Sequence, residues 1–390
     1  MTSRLALAPL ALLCAQFAHA QVTQPTLEND PGKTLQFRVG AGMEHDSNVL
    51  RSSTGSSDQI GILSAGVRLD KQYSLQRITL DAEAATYRHR DFSNLNYNTF
   101  NYLGALNLSL TPRIRGLLSA ERRQYRDITD PGTGVSGANL RTERNEIAEI
   151  AYDIGGGIRT QAGLTRRSSE SDDPRSLEAS PTVVSARVAA GYEFPSGTLL
   201  MGQYRRGNGD YGNVQVGQDF KETEPSIIAR WPVTPKTTVD GRIGRLERKH
   251  DNVPQRDFNG TVGAVNVNWE ITGKTSVNAG YAREVGSYEF AGGGDVRGNR
   301  IHIEPLWKAT AKTAVRLRYQ REERDWNTVS AASPDAGRSD TTQYSSAAFE
   351  WEPRRHLLVS AALRNERRSS NLPGFDFKAN ILALGAKAYF

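Results

Sequence analysis

The sequence predicts an all-β protein, a transmembrane antiparallel up-and-down β-barrel of about 18 strands, or 16, with short periplasmic turns and longer extracellular loops. Three observations predict it: an export-type amino terminus, an alternation of polar and apolar residues that runs through 34–390, and an aromatic last residue, Phe390.

Residues 1–20 carry one cation, Arg4, an apolar core from Leu5 to Phe17, and small residues Ala18 and Ala20 ahead of a cleavage point before Gln21. This is the pattern of a Sec signal peptide, with an apolar core too short to span a bilayer as a helix. Cleavage would remove Cys14, the only cysteine, so a mature chain has neither disulfides nor a thiol nucleophile. Residues 21–33, with Pro25 and Pro31, read as a short periplasmic extension, and 34–390 as a single outer-membrane barrel. The extension is too short to be a plug domain.

The net charge is +6, and 39 of the 49 basic residues are arginine, planar forks suited to carboxylates and to sugar hydroxyls. Nucleic acid is excluded as a partner of an exported chain. Mean hydropathy is negative and no apolar run reaches the length of a spanning helix. A barrel remains open to the chain, because only alternate residues of its strands face lipid.

The two-residue period is explicit in the strands. Leu35, Phe37, Val39, Ala41 and Met43 alternate with Gln36, Arg38, Gly40 and Gly42, and Val315, Leu317 and Tyr319 alternate with Arg316, Arg318 and Gln320. Asn266 and Asn268 alternate with Val265, Val267 and Trp269. No segment sustains a helical stripe. Turn-rich connections fall at 70–75, 111–113, 155–157, 195–197, 232–236, 271–274, 310–312 and 352–355. Longer polar loops fall between them at 44–57, 91–96, 127–140, 169–179, 207–218, 249–255, 287–296, 326–339 and 368–375. Trp231, Trp269, Trp307 and Trp351 each precede a short turn, and Phe390 ends at the same level, an expected aromatic girdle on the periplasmic side.

The segment 42–51, containing Asp46-Ser47-Asn48-Val49-Leu50-Arg51, and the ending Lys387-Ala388-Tyr389-Phe390 resemble the β-barrel porins of bacterial exopolysaccharide operons, the EpsL-like proteins. The resemblance implies a Gram-negative outer-membrane component of exopolysaccharide biosynthesis or export, with polysaccharide and periplasmic export proteins as partners and no catalytic residues to transfer. The aromatic ending resembles the signal read by the barrel-assembly machinery, with Ala388 in place of an aromatic at the third position from the end.

The residues themselves leave two alternatives: a general or substrate-selective diffusion porin for small solutes, and a barrel enzyme acting on glycan or lipid. The expected lumen-lining charges are Arg38, Arg68, Asp240, Arg242, Arg316 and Arg318, with Arg68 beside Asp70, Asp240 beside Arg242, and Asp81 near Glu83. Arg316 and Arg318 would point the same way, about 6 to 7 Å apart. The five histidines beyond the expected signal peptide, His45, His89, His250, His302 and His356, lack ligand spacing, so no metal or other cofactor is expected. Glu44, Asp46 and Asn48 lack a full Ca²⁺ ligand set. No nucleophile elbow or placed carboxylate pair supports catalysis, and no enzyme is expected.

Overall fold

The computed structural model describes residues 33–127, 138–172, 181–211, 219–251, 254–287, 294–328 and 336–390. The signal peptide and nearly all of the extension predicted from the sequence therefore lie outside the described residues. Eighteen antiparallel strands, β1 (Leu35–Asp46) to β18 (Phe377–Tyr389), pair in chain order, and β1 pairs with β18 to close the sheet. Closure is continuous from Arg38 opposite Tyr389 to Asp46 opposite Ile381. Backbone bonds between Phe37 and Phe390 extend it by one pair. A closed sheet leaves no unpaired edge, which is what a bilayer without competing water demands of backbone amides.

The apolar members of each alternation face out. Leu317, Leu363, Leu384, Ile243, Val188 and Leu164 are exposed on the outer wall, in the pattern of a lipid-facing band. Their polar neighbours in sequence face the lumen. Among the described residues there is no α-helix, only two single turns of 3₁₀ helix, Ser93–Leu95 and Pro254–Arg256, both in loops.

Eight tight turns close one end and nine longer loops the other. Three of the tight turns share one solution. In Thr234-Pro235-Lys236-Thr237, Thr272-Gly273-Lys274-Thr275 and Thr310-Ala311-Lys312-Thr313 the first threonine hydroxyl accepts the lysine amide at 3.1–3.2 Å. A tryptophan stands three residues before each, at Trp231, Trp269 and Trp307. In the turn between β6 (Leu140–Gly155) and β7 (Ile158–Ser171), Gly155, Gly156 and Gly157 all take positive φ, a run that side chains resist.

The strands outrun their apolar pattern at the loop end. β7 continues to Ser171, β9 (Leu199–Tyr211) to Tyr211, β15 (Thr313–Thr328) to Thr328 and β17 (Leu357–Ser370) to Ser370, where the sequence had indicated loop from 169, 207, 326 and 368. Above the lipid band both faces of a strand meet water, so alternation vanishes while the backbone ladder continues. With 12 to 17 residues per strand in β1 and β14 (Gly294–Thr310), against about 9–11 needed to span a bilayer, the wall stands above the membrane on that side.

Candidate functional site: the charged inner wall

The inner wall is built from charges that pair sideways around the barrel. The Cβ atoms of side chains two apart on one strand are separated by about 6 to 7 Å, whereas those on adjoining strands approach more closely, so most of these charges find partners across strands, with Arg324–Glu322 and Arg338–Asp340 pairing between residues two apart in sequence. Asp70 accordingly forms its direct ion pair with Arg77 on the next strand at 2.6 Å, with Arg68 acting on it electrostatically. Asp240 pairs with Arg230 at 3.4 Å, and Arg242 turns to Glu224, which corrects the grouping of Asp240 with Arg242. Asp81 and Glu83 do converge, both on Arg38, at 2.6 and 3.0 Å.

Arg38 reaches past a neighbour to do so. It lies on β1, whereas Asp81 and Glu83 lie on β3 (Gln76–His89), with β2 (Asp58–Tyr73) between. Gly66 occupies the row, opposite Arg38 on one side and Glu83 on the other, so the guanidinium crosses bare backbone. The same row recurs five strands further round the barrel. Arg187 on β8 (Pro181–Glu193) faces Gly163 on β7, which faces Glu149 on β6, and Arg187 bonds to Glu149. Lys387 similarly passes Gly40 and Ser64 to reach Glu83 at 3.2 Å.

The densest cluster lies on β9, β10 (Phe220–Thr234) and β11 (Thr237–His250). Arg205 holds Glu222 and Glu224 at 2.9 and 2.8 Å, Arg242 holds Glu224 from the other side, and Arg248 holds Glu222 at 2.6 Å. Glu224 is 2% exposed. Three arginines thus share two carboxylates, and this patch of wall carries a net positive charge. Of the other expected lining residues, Arg68 sits in the row between Gln36 and Asp81, and Arg316 opposite Ala348. Arg318 bonds Glu304 at 3.1 Å and lies over the ring of Tyr344.

At the loop end arginines stack on rings. Arg248 lies 4.3 Å from the centroid of Phe220, Arg368 4.8 Å from Phe377, and Arg338 is held between Trp326 and Phe375 at 4.3 and 3.9 Å while bonding Asp340 at 2.6 Å. The sequence carried a signal for this collar. An Asp or Asn followed by an aromatic begins strands returning from the loops at Asn96-Tyr97, Asp219-Phe220, Asp257-Phe258 and Asp376-Phe377. Asn96, Asp257 and Asp376 accept backbone amides of the outgoing strand, from His89, His250 and Ser370, at 2.6–3.0 Å.

The first loop joins this collar as a fixed plate. Arg51 is 4% exposed, bonds Asp46 at 2.7 Å and Glu366 at 2.8 Å, and takes a φ of 52°, uncommon for a non-glycine residue. Asn48 donates to the carbonyls of Ser52 and Lys378 at 2.7 and 3.1 Å. Val49 is packed with Ile60 and Leu95, and its carbonyl accepts from Arg126. The polar residues of 46–51 therefore fasten the loop from β17 and β18 across to β5 (Ile114–Arg126). Among the described residues no group of three or more His, Asp or Glu side chains is placed to hold a metal ion.

Trp231, Trp269, Trp307 and Trp351 lie on the outer surface, 46–53% exposed, each opposite a valine eight residues on in sequence. Phe390 is exposed at the same end of the barrel.

A closed sheet, apolar outside and charged inside, defines a porin-like outer-membrane β-barrel embedded in lipid. The family model described as "Putative beta-barrel porin 2" matches residues 229–390. None of the curated proteins compared with the chain matches it in sequence. Among solved structures the chain is similar to Pseudomonas aeruginosa OccK1 (OpdK), with 11% identity, 91% of this chain and 99% of that one covered, and a TM-score of 0.49. A BenF-like porin from Pseudomonas fluorescens Pf-5 gives 10% identity, 92% and 98% coverage, and 0.48. Pseudomonas aeruginosa OccK2 (OpdF), solved in complex with glucuronate, gives 10%, 92% and 98%, and 0.47.

Proposed function

We propose that the chain is a substrate-selective diffusion channel for small hydrophilic solutes, its wall favouring acidic ones. The observation that carries this reading is the β9–β11 cluster, where Arg205, Arg242 and Arg248 outnumber Glu222 and Glu224 on the inner face of an 18-stranded barrel. At that strand number side chains no longer fill the interior. Arginine forks fixed in place by carboxylates present a preorganised, mildly positive wall to a passing carboxylate without a strong net field that would trap it. The match to a porin family over 229–390 supports the same reading.

Export of exopolysaccharide rests on the resemblance of 42–51 and of the chain's last residues alone. The family description names no glycan, so the diffusion reading takes precedence. The test is reconstitution in planar bilayers and in liposomes. Discrete conductance steps and faster swelling in a sugar acid than in the matching neutral sugar are expected. A protein that folds but passes no current overturns the reading.

A further inference from the structure

The geometry points to a binding site on the outside of the barrel, a groove for one acyl chain of a phosphorylated outer-leaflet lipid, with basic residues at its loop end for the phosphate. The groove is a cavity of about 660 Å³ across β8, β9, β10 and β11. Its floor is Gly202, where a Cβ would meet nothing within 4 Å, and its sides are Val188, Tyr204, Ile227 and Ile243, all exposed on the lipid-facing wall.

Sequence makes the notch. Ala190, Gly202, Ile227 and Ile243 stand side by side in one row, so two small residues adjoin two large ones. One row nearer the loops Pro225 replaces an amide donor, and β10–β11 pairing lapses at Glu224 and Pro225 before resuming in the same register. An apolar notch in a lipid-facing wall is filled by hydrocarbon, and its width of about one strand suits one chain.

Charge identifies the headgroup. Arg245, two residues beyond Ile243 on β11, stands level with Tyr204 and Pro225 at the loop end of the groove, and Arg206, two beyond Tyr204 on β9, stands about 6 to 7 Å nearer the loops on the same outer face, in a row with Thr223 and with Glu247, which is paired to Lys249. Both are exposed. Arg206 has no acidic partner among the described residues, and Arg245 spends only its Nε, on Asn259 at 2.7 Å. An outward arginine at the membrane boundary with unspent donors matches a phosphate monoester in charge and geometry. The site is independent of the channel reading, since the side chains that wall it, Val188, Tyr204, Ile227 and Ile243, and both arginines face away from the lumen.

The full chain in detergent, exposed to bisphosphorylated lipid A or to the same lipid after phosphatase treatment, tests the site by native mass spectrometry. Wild type is expected to retain the phosphorylated lipid about tenfold better than the dephosphorylated one, a difference of about 1.4 kcal/mol. Gly202→Leu, and Val188→Trp from the other side of the groove, should each abolish retention while heat-modifiable gel mobility reports a folded barrel. The double variant Arg206→Gln, Arg245→Gln should bind both lipids alike. Equal retention by the groove variants, a phosphate preference that survives the double variant, or displacement of the lipid by inorganic phosphate overturns the assignment.

Discussion

Arg38 and Glu83 sit on strands that never pair with each other, yet they are joined at 3.0 Å because Gly66 lies between them in a single row of the wall. An added Cβ at Gly66 would stand 2.7 Å from Arg38 Nε and 2.8 Å from the carbonyl oxygen of Ala82, and backbone cannot move aside as a side chain can. We predict that Gly66→Ala destabilises the folded barrel by about 1–3 kcal/mol, the usual cost of overpacking. At the corresponding Gly163 the closest approaches are 3.1 and 3.3 Å, so Gly163→Ala should cost less. Urea unfolding in lipid vesicles, followed by tryptophan fluorescence, ranks the two; the reverse order would refute the mechanism.

Removal of a shared carboxylate should change both stability and selectivity. Glu224→Ala leaves Arg205 and Arg242 without their common partner on a wall where Glu224 is nearly inaccessible. A loss of about 3 kcal/mol is expected, together with a reversal potential shifted toward anions. A variant that folds and shows an unchanged reversal potential would show that these charges do not set the field along the pore.

Leu317, between Arg316 and Arg318, separates the two faces of β15 most sharply. It is 46% exposed on the outer wall, whereas its neighbours face the lumen. Leu317→Arg should cost about 2–4 kcal/mol, the range for a cation on the lipid face of a barrel near mid-bilayer. Leu317→Met should be nearly silent. Vesicle refolding titrations give the comparison, and an arginine tolerated at 317 would argue against a hydrocarbon environment there.

Arg51 ties the first loop to β17. Arg51→Ala leaves Asp46 and Glu366 facing each other without a cation, and relief of that repulsion requires the loop to lift. We predict a larger single-channel conductance and cleavage by protease within 47–57 in intact cells, with little change in the midpoint of global unfolding. Arg51→Lys restores charge without the fork and should recover only part of the difference. Conductance and cleavage both unchanged would show that the loop is held by Val49 and Asn48 alone.

Strand number, closure and the inside or outside placement of Arg38, Leu317 or Trp269 were legible because alternation is a property of one strand. Partner choice was not. Asp240 stands beside Arg242 in sequence but bonds Arg230, a choice made by register across the β10–β11 turn. The long reach of Arg38 depends on which residue of β2 falls between it and β3. The burial of Arg51 was hidden for a related reason, since a polar loop that folds onto its own rim has the composition of a solvated one. The collar, by contrast, had a recurring Asp/Asn-aromatic mark that gains meaning once the strand starts are known.

The tryptophan, threonine and lysine at the tight turns recur at intervals of 38 residues, at Trp231, Trp269 and Trp307 with Lys236, Lys274 and Lys312. Each such unit is one complete hairpin that brings its own anchor in the headgroup region and its own way of reversing direction. Duplication or deletion of one unit would therefore change the circumference by two strands and leave the remaining rim intact. A barrel of this kind can acquire a new bore in one genetic step, with the charges of the inner wall adjusted afterwards.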